Sequence, residues 1–259
     1  MKPIRVYQCE DTPEGIFTAI YDAGMSGYGH DFIRIQAQTP GLHENIDLFS
    51  EYITVETNEE KAQKVLRSVK EKISIEVYKH IMRAVCSVEA DKANVIYHYI
   101  VYGFALGKKV TKALQIPWVQ RVFEINRRVA NEVHRYREFI RFQEIQKNPP
   151  VLLAVFEPQN YILALVTEHF ADRLNPEYFV IYDKAHKEAA FHSAGGNWFV
   201  HALDEEECRT LDALEQQKED YADLWKVFFE AICIQQRKNE NLQRNMLPLR
   251  YRKHMIEFT

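Results

Sequence analysis

From Pro117 the apolar residues Trp118, Val122, Ile125, Val129, Val133 and Tyr136 recur at three- and four-residue steps, the period of one helix face. After Tyr136 the period shortens to two, with Phe139 and Arg141 alternating against Ile140 and Phe142, so a strand is predicted from about Glu138. Asn148-Pro149-Pro150 supplies a turn, and 151–156 is continuously apolar, as a strand buried on both faces is. A helix over 161–174, a strand over 178–182, short strands near 189–192 and 198–200, and helix again over 204–237 follow. This change of period, with close turns favouring antiparallel pairs, restricts the chain to α+β: mainly helical, with a mostly antiparallel sheet in its C-terminal part.

The first part of the chain reads differently. Residues 4–9 form a short strand, and Asp11-Thr12-Pro13 opens a helix that runs to about Met25. Candidate strands at 32–36 and 52–56 lie either side of a turn at Pro40-Gly41, and helical periodicity then predicts helices over 58–73, 75–86 and 91–106. There is no clear linker and no internal repeat. The coarsest division falls near Ser87, giving an N-terminal α/β subdomain at 1–87, a small strand-helix piece, and a helix-plus-sheet domain at 88–259.

A net charge of -4 provides no global field to draw in nucleic acid, so any such binding needs a local basic surface. Cys9, Cys86, Cys208 and Cys233 are scattered and form no Cys-x-x-Cys pair, which argues against a zinc knuckle, an iron-sulfur cluster or a disulfide framework. The longest apolar run, 95–106, contains His98 and is short for a bilayer. A cytoplasmic protein with no membrane contact and no cofactor is expected.

Polar residues gather between Glu132 and Asp183. Glu124, Arg128, Glu132 and Arg135 have the spacing of intrahelical ion pairs on a solvated face. Beside them, His134 and Arg137 lead to Arg141 at the predicted helix-to-strand junction, where guanidinium groups suit phosphate oxygens. Glu157 and Asp183 each end a predicted strand; the two carboxylates either share a cleft for acid-base work or fix turns. His169 and Arg173 lie on one predicted helix, and His169 with Asp172 provides two ligands, too few for a metal site. One candidate catalytic cluster is therefore His134, Arg141, Glu157, His169, Arg173 and Asp183. Arg141, set among apolar neighbours, requires an anionic partner: a carboxylate such as Glu157 or Asp183, or a ligand phosphate.

The C-terminal segment is basic: Arg237, Lys238, Arg244, Arg250, Arg252 and Lys253 are interleaved with Tyr251 and His254. With Arg137, the residues Arg244, Arg250, Tyr251 and Lys253 form a candidate nucleic-acid surface, cations for phosphates and an aromatic for a stacked base. The alternative is internal docking against Asp204-Glu205-Glu206-Glu207 and the carboxylates that follow. No Ser-His-Asp order, nucleophile elbow, Walker loop or His-Glu-x-x-His is present.

The series Tyr7-x-Cys9-Glu10-Asp11, Glu14-Gly15-Ile16 and Ala19-x-Tyr21-Asp22 is followed by Glu132-Val133-His134-Arg135 and Phe139-x-Arg141-Phe142. Phe156-Glu157-Pro158, His169-Phe170-Ala171-Asp172-Arg173, Ile181-Tyr182-Asp183 and Pro248-x-Arg250-Tyr251 complete it. Over essentially its whole length the chain thus resembles an uncharacterised bacterial family described as DNA metabolism or DNA repair proteins. The resemblance implies a DNA-related role with a radical-SAM protein as partner, some relatives being fused to a uracil-DNA-glycosylase-like domain. The chain departs from the pattern at Arg252, where an aromatic is expected. The functions left open are a DNA-binding repair factor, a nuclease or base-processing enzyme, and a scaffold that binds only protein.

Overall fold

Short polar side chains start the helices. Thr12 accepts from Gly15 N to cap α1 (Pro13–Met25), Asn58 from Lys61 N to cap α2 (Glu59–Lys72), and Ser74 from Val77 N to cap α3 (Ile75–Val85). In this computed structural model residues 2–38, 47–217, 222–232 and 239–258 are described. The turn at Pro40-Gly41, Cys233, Arg237 and Lys238 lie outside them. Contact density divides the chain into Met1–Ala130 and Asn131–Thr259, so the division falls inside α5 (Pro117–Phe139). Residue 87, where the sequence placed a boundary, sits in the connection between α3 and α4 (Lys92–Leu106).

In the first unit β1 (Ile4–Glu10) is the middle of a three-stranded sheet, with β2 (Ile33–Gln38) and β3 (Ser50–Thr54) on either side, both parallel to it. The strands at Ile33–Gln38 and Ser50–Thr54 therefore flank β1, and the sheet is larger than the strand-helix piece expected. Both pairings with β1 are parallel, and helices cover the sheet: Ile16 and Phe17 of α1, Val69 of α2, Val77 and Ile81 of α3 and Ile96 of α4 are buried in one core.

The second unit carries a five-stranded sheet of order β4-β5-β6-β7-β8: Phe142–Ile145, Val151–Phe156, Phe179–Asp183, Glu188–His192 and Trp198–Ala202. All its neighbours are antiparallel except β5 and β6, and the fold is α+β. β5 is interior and buries Leu153, Ala154, Val155 and Phe156, which is why its sequence is continuously apolar. On one face Leu153, Val155 and Tyr182 pack with Cys208, Leu211 and Leu214 of α7 (Glu205–Glu215). On the other, Phe142 and Phe179 meet edge to face at 5.9 Å, and Phe142 meets Phe170 of α6 (Leu163–Arg173) at 5.0 Å. Helices α8 (Ala222–Ile232) and α9 (Glu240–Met246) follow.

The helix-to-strand junction departs from the sequence expectation. α5 continues through Phe139, and β4 begins at Phe142 instead of near Glu138. Ile140 N donates to Tyr136 O at 2.9 Å, still a helical bond, and the rings of Tyr136 and Phe139 lie 4.9 and 6.0 Å from that of Tyr251. A four-residue alternation is too short to separate a strand from a last helical turn that has a long-range aromatic partner.

Candidate functional site

Within the sheet of the second unit, β5-α6-β6 is the one parallel connection. The register sets Phe156 against Asp183, and Lys184 N donates to Phe156 O at 3.0 Å. The loops after the two strands therefore emerge side by side at their carboxyl ends, where open sheets commonly bind ligands.

The loop after β5 is anchored by Glu132, which is 2% exposed. Its carboxylate accepts from Gln159 N at 2.9 Å, Asn160 N at 3.0 Å and Asn160 Nδ2 at 2.5 Å. Tyr136 Oη donates to Glu157 O at 2.7 Å. The intrahelical ladder expected on α5 is thus not formed at this residue, and further up the helix Arg128 bonds Glu89 of the first unit. The sequence contained the signal: Glu132 is three residues after Val129 and four before Tyr136, which places it on the apolar face. A carboxylate there needs internal donors.

The C-terminal segment lies over this loop. Arg250 donates to Gln159 Oε1 at 2.6 Å and to Tyr251 Oη at 2.7 Å. Lys253 Nζ reaches both Glu157 oxygens at 2.6 Å. His254 bridges two carboxylates, Nε2 to Glu157 at 3.1 Å and Nδ1 to Glu215 at 2.6 Å. Lys184 continues the chain of charges to Asp212 at 2.7 Å and Glu215 at 3.5 Å. Burial works against the Glu157 carboxylate, but Lys253 and His254 outweigh it and hold the group below the usual range. The His254 hydrogen bond does the same for Glu215, against burial.

Beside Glu157 opens a cleft of about 680 Å3 lined by Leu249, Arg250, Arg252, Lys253 and Phe258. The Arg252 guanidinium lies 4.7 Å from the centre of the Phe258 ring, its Nε donates to Leu247 O at 3.2 Å, and its Nη2 has no hydrogen-bond partner. Among the described residues neither Arg250 nor Arg252 has a carboxylate partner. Tyr251 is 4% exposed and packs on Tyr136, so the base-stacking part expected of it is not open to it; it holds the Arg250 fork instead.

The loop after β6 closes on itself. Asp183 Oδ1 accepts from Ala185 N and His186 N, both at 3.1 Å, and Oδ2 meets His186 Nδ1 at 2.7 Å. Burial raises the Asp183 carboxyl above its ordinary value. Burial also disfavours the charged imidazole of His186, but the Asp183 hydrogen bond and charge prevail and raise it. The Tyr161 ring lies 4.1 Å from that of His186. His186 was not singled out from the sequence, although Asp-x-x-His at a strand end is a legible pattern for a locally held imidazole.

The other expected residues lie apart from these. His134 is 74% exposed and faces Glu138 at 3.3 Å. His169 is half-buried on α6, edge-on to Phe170, and Arg173 and Arg244 are exposed on their helices. Arg137 donates to Leu165 O at 2.7 Å. Arg141 pairs with Glu257 at 2.6 Å, so its anion comes from within the protein and is neither Glu157 nor Asp183. Arg141 and His254 do line one small cavity of about 40 Å3 with Glu215. Asp183 is in register with Phe156, the residue before Glu157, but the two carboxylates take different partners, His186 for Asp183 and Lys253 for Glu157. Among the described residues no three His, Cys, Asp or Glu side chains are grouped as a metal would need, and no helix is long and apolar enough to cross a membrane.

The second unit is thus a mixed-sheet α+β unit whose candidate site lies at the carboxyl ends of its one parallel strand pair. Residues 90–257 match the family described as a domain of unknown function, DUF4130, and the chain belongs to that family. No curated protein matches it.

Proposed function

We propose that the second unit binds DNA by its phosphates in the cleft walled by Arg250, Arg252 and Lys253, and that the protein acts as a DNA metabolism or repair factor with a radical-SAM partner. The observation that carries this reading is the pair of guanidinium groups, Arg250 and Arg252, that line the cleft with no carboxylate partner among the described residues. Arg matches the geometry of phosphate oxygens and keeps its charge when partly desolvated. Lys253 is matched by Glu157 and contributes less than either arginine. Binding to single-stranded, duplex and uracil- or abasic-containing DNA, followed by fluorescence anisotropy at several salt concentrations, tests it. Affinity falls as salt rises, and Arg250→Ala or Arg252→Ala lowers affinity by about 3- to 10-fold and reduces the salt slope by roughly one phosphate contact. Absence of binding to every form, with and without the radical-SAM protein, overturns it.

One observation favours a second reading, a base-processing enzyme. Asp183 holds His186 by Nδ1 and leaves Nε2 with no partner among the described residues, the arrangement of an oriented general base. Loss of a DNA-dependent reaction in His186→Gln, with DNA affinity retained, would select it over the binding factor.

A further inference from the structure

Helices α1, α2 and α4 of the first unit line an open-mouthed pocket of about 300 Å3, the lower end of the size of small-molecule sites. Ile20, Val65, Ile100 and Phe104 give it an apolar wall. Its polar groups are few. His30 Nδ1 and Tyr97 Oη satisfy each other at 2.7 Å inside it. Lys64 lies on the wall with its ammonium 6.0 Å from the Tyr21 ring and has no carboxylate partner among the described residues.

Gly24 supplies a further observation. It lies within α1 and lines the same pocket, yet its φ is not positive and a Cβ built on it meets nothing within 4 Å. Neither the backbone nor a neighbouring atom requires glycine at this position in the last turn of α1. What the missing side chain leaves is open space beside the pocket.

We propose that this pocket binds a small anionic amphiphile: an apolar body of ring or short-chain size held by Ile20, Val65, Ile100 and Phe104, with one anionic group at Lys64. The apolar wall selects the body, because few hydrogen-bonding groups remain to recognise a polar one once His30 and Tyr97 have satisfied each other. The unpaired ammonium selects the sign of the charge. The α1 and α2 walls come from residues that precede the family match at residue 90, so the site belongs to a part of the chain that the DNA reading does not use.

Anilinonaphthalene sulfonate and its uncharged counterpart phenylnaphthylamine, titrated onto the full chain by fluorescence and calorimetry, provide the test. The sulfonate binds saturably with one equivalent. Gly24→Leu fills the pocket from α1 and lowers affinity for both probes by about tenfold or more, while Tm is unchanged or higher. Lys64→Ala weakens the sulfonate by about 2- to 5-fold, the range of an exposed ion pair, and leaves the amine unchanged. The proposal fails if sulfonate binding is not saturable, if Gly24→Leu leaves it intact, or if Lys64→Ala affects both probes equally.

Discussion

The loops after β5 and β6 leave neighbouring parallel strands at the same end of one sheet, yet they are held in opposite ways. The β5 loop takes its main hydrogen bonds and ion pairs from residues distant in sequence: Glu132, Tyr136, Arg250, Lys253 and His254. The β6 loop is held by its own first residue, since Asp183 binds Ala185 and His186 within three positions. A loop held from elsewhere can be shaped by the segments that hold it, and here those segments carry the cations of the cleft. A self-held loop orients one side chain, His186, by a local hydrogen bond, with the Tyr161 ring packed against it.

Removing the anchor separates the two most strongly. Glu132→Ala removes the buried carboxylate that accepts from Gln159 N, Asn160 N and Asn160 Nδ2, and stability should fall by about 2–4 kcal/mol in a denaturant melt. Hydrogen exchange should quicken at 159–160 and not at 185–186. Equal quickening in both loops would break the comparison.

Protonation gives the next effect, with opposite signs in the two loops. His186 has a raised folded-state value, so its stabilisation is complete below its ordinary 6.5 and is lost as pH rises through the higher folded value. Glu157 and Glu215 have depressed values, so theirs is present above the ordinary 4.5 and is lost as pH falls through the folded values. Asp183→Asn keeps an acceptor for the turn but removes the charge beside His186. It should cost about 1 kcal/mol and flatten the decline of Tm on the alkaline side, where the raised His186 titrates. An undiminished alkaline decline would show that His186 owes its stabilisation to groups other than Asp183.

Arg141→Lys keeps a charge for Glu257, whose side chain is 3% exposed, but loses the planar fork. A loss of about 1–2 kcal/mol in the denaturant midpoint is expected, below the cost of a fully buried pair because Arg141 itself is 30% exposed. Unchanged DNA affinity would confine Arg141 to the fold. The smallest effect is that of Lys253→Ala, about 0.5 kcal/mol, since its side chain is 62% exposed. A larger loss would mean that the Glu157 end of the β5 loop depends on this contact as much as its middle depends on Glu132.

The elements were largely legible because they rest on local signals. Thr12, Asn58 and Ser74 announce helix starts, the three- and four-residue steps from Trp118 to Tyr136 announce α5, and the apolar run at 151–156 announces an interior strand. The site was legible only in part. Glu157 and Asp183 were expected at strand ends and are there, and Arg250 and Lys253 were expected in a basic surface and line the cleft. His134, His169 and Arg173 suggest a site by their chemistry and their proximity in sequence, and neither property decides which way a side chain on a helix faces.

The sequence by itself determined the class of fold, the carboxyl ends of β5 and β6 and the basic character of the C-terminal segment, since each depends on periodicity, turn residues or composition within a short window. Only the tertiary structure decided that β2 and β3 flank β1, that Glu132 faces inward to hold the β5 loop, that Arg141 is matched by Glu257, and that Lys253 is matched while Arg250 and Arg252 are not. The physical reason is range. A hydrogen bond or ion pair selects its partner by a few ångströms in space, and partners as far apart in sequence as Arg141 and Glu257 leave no local pattern that names one carboxylate over another.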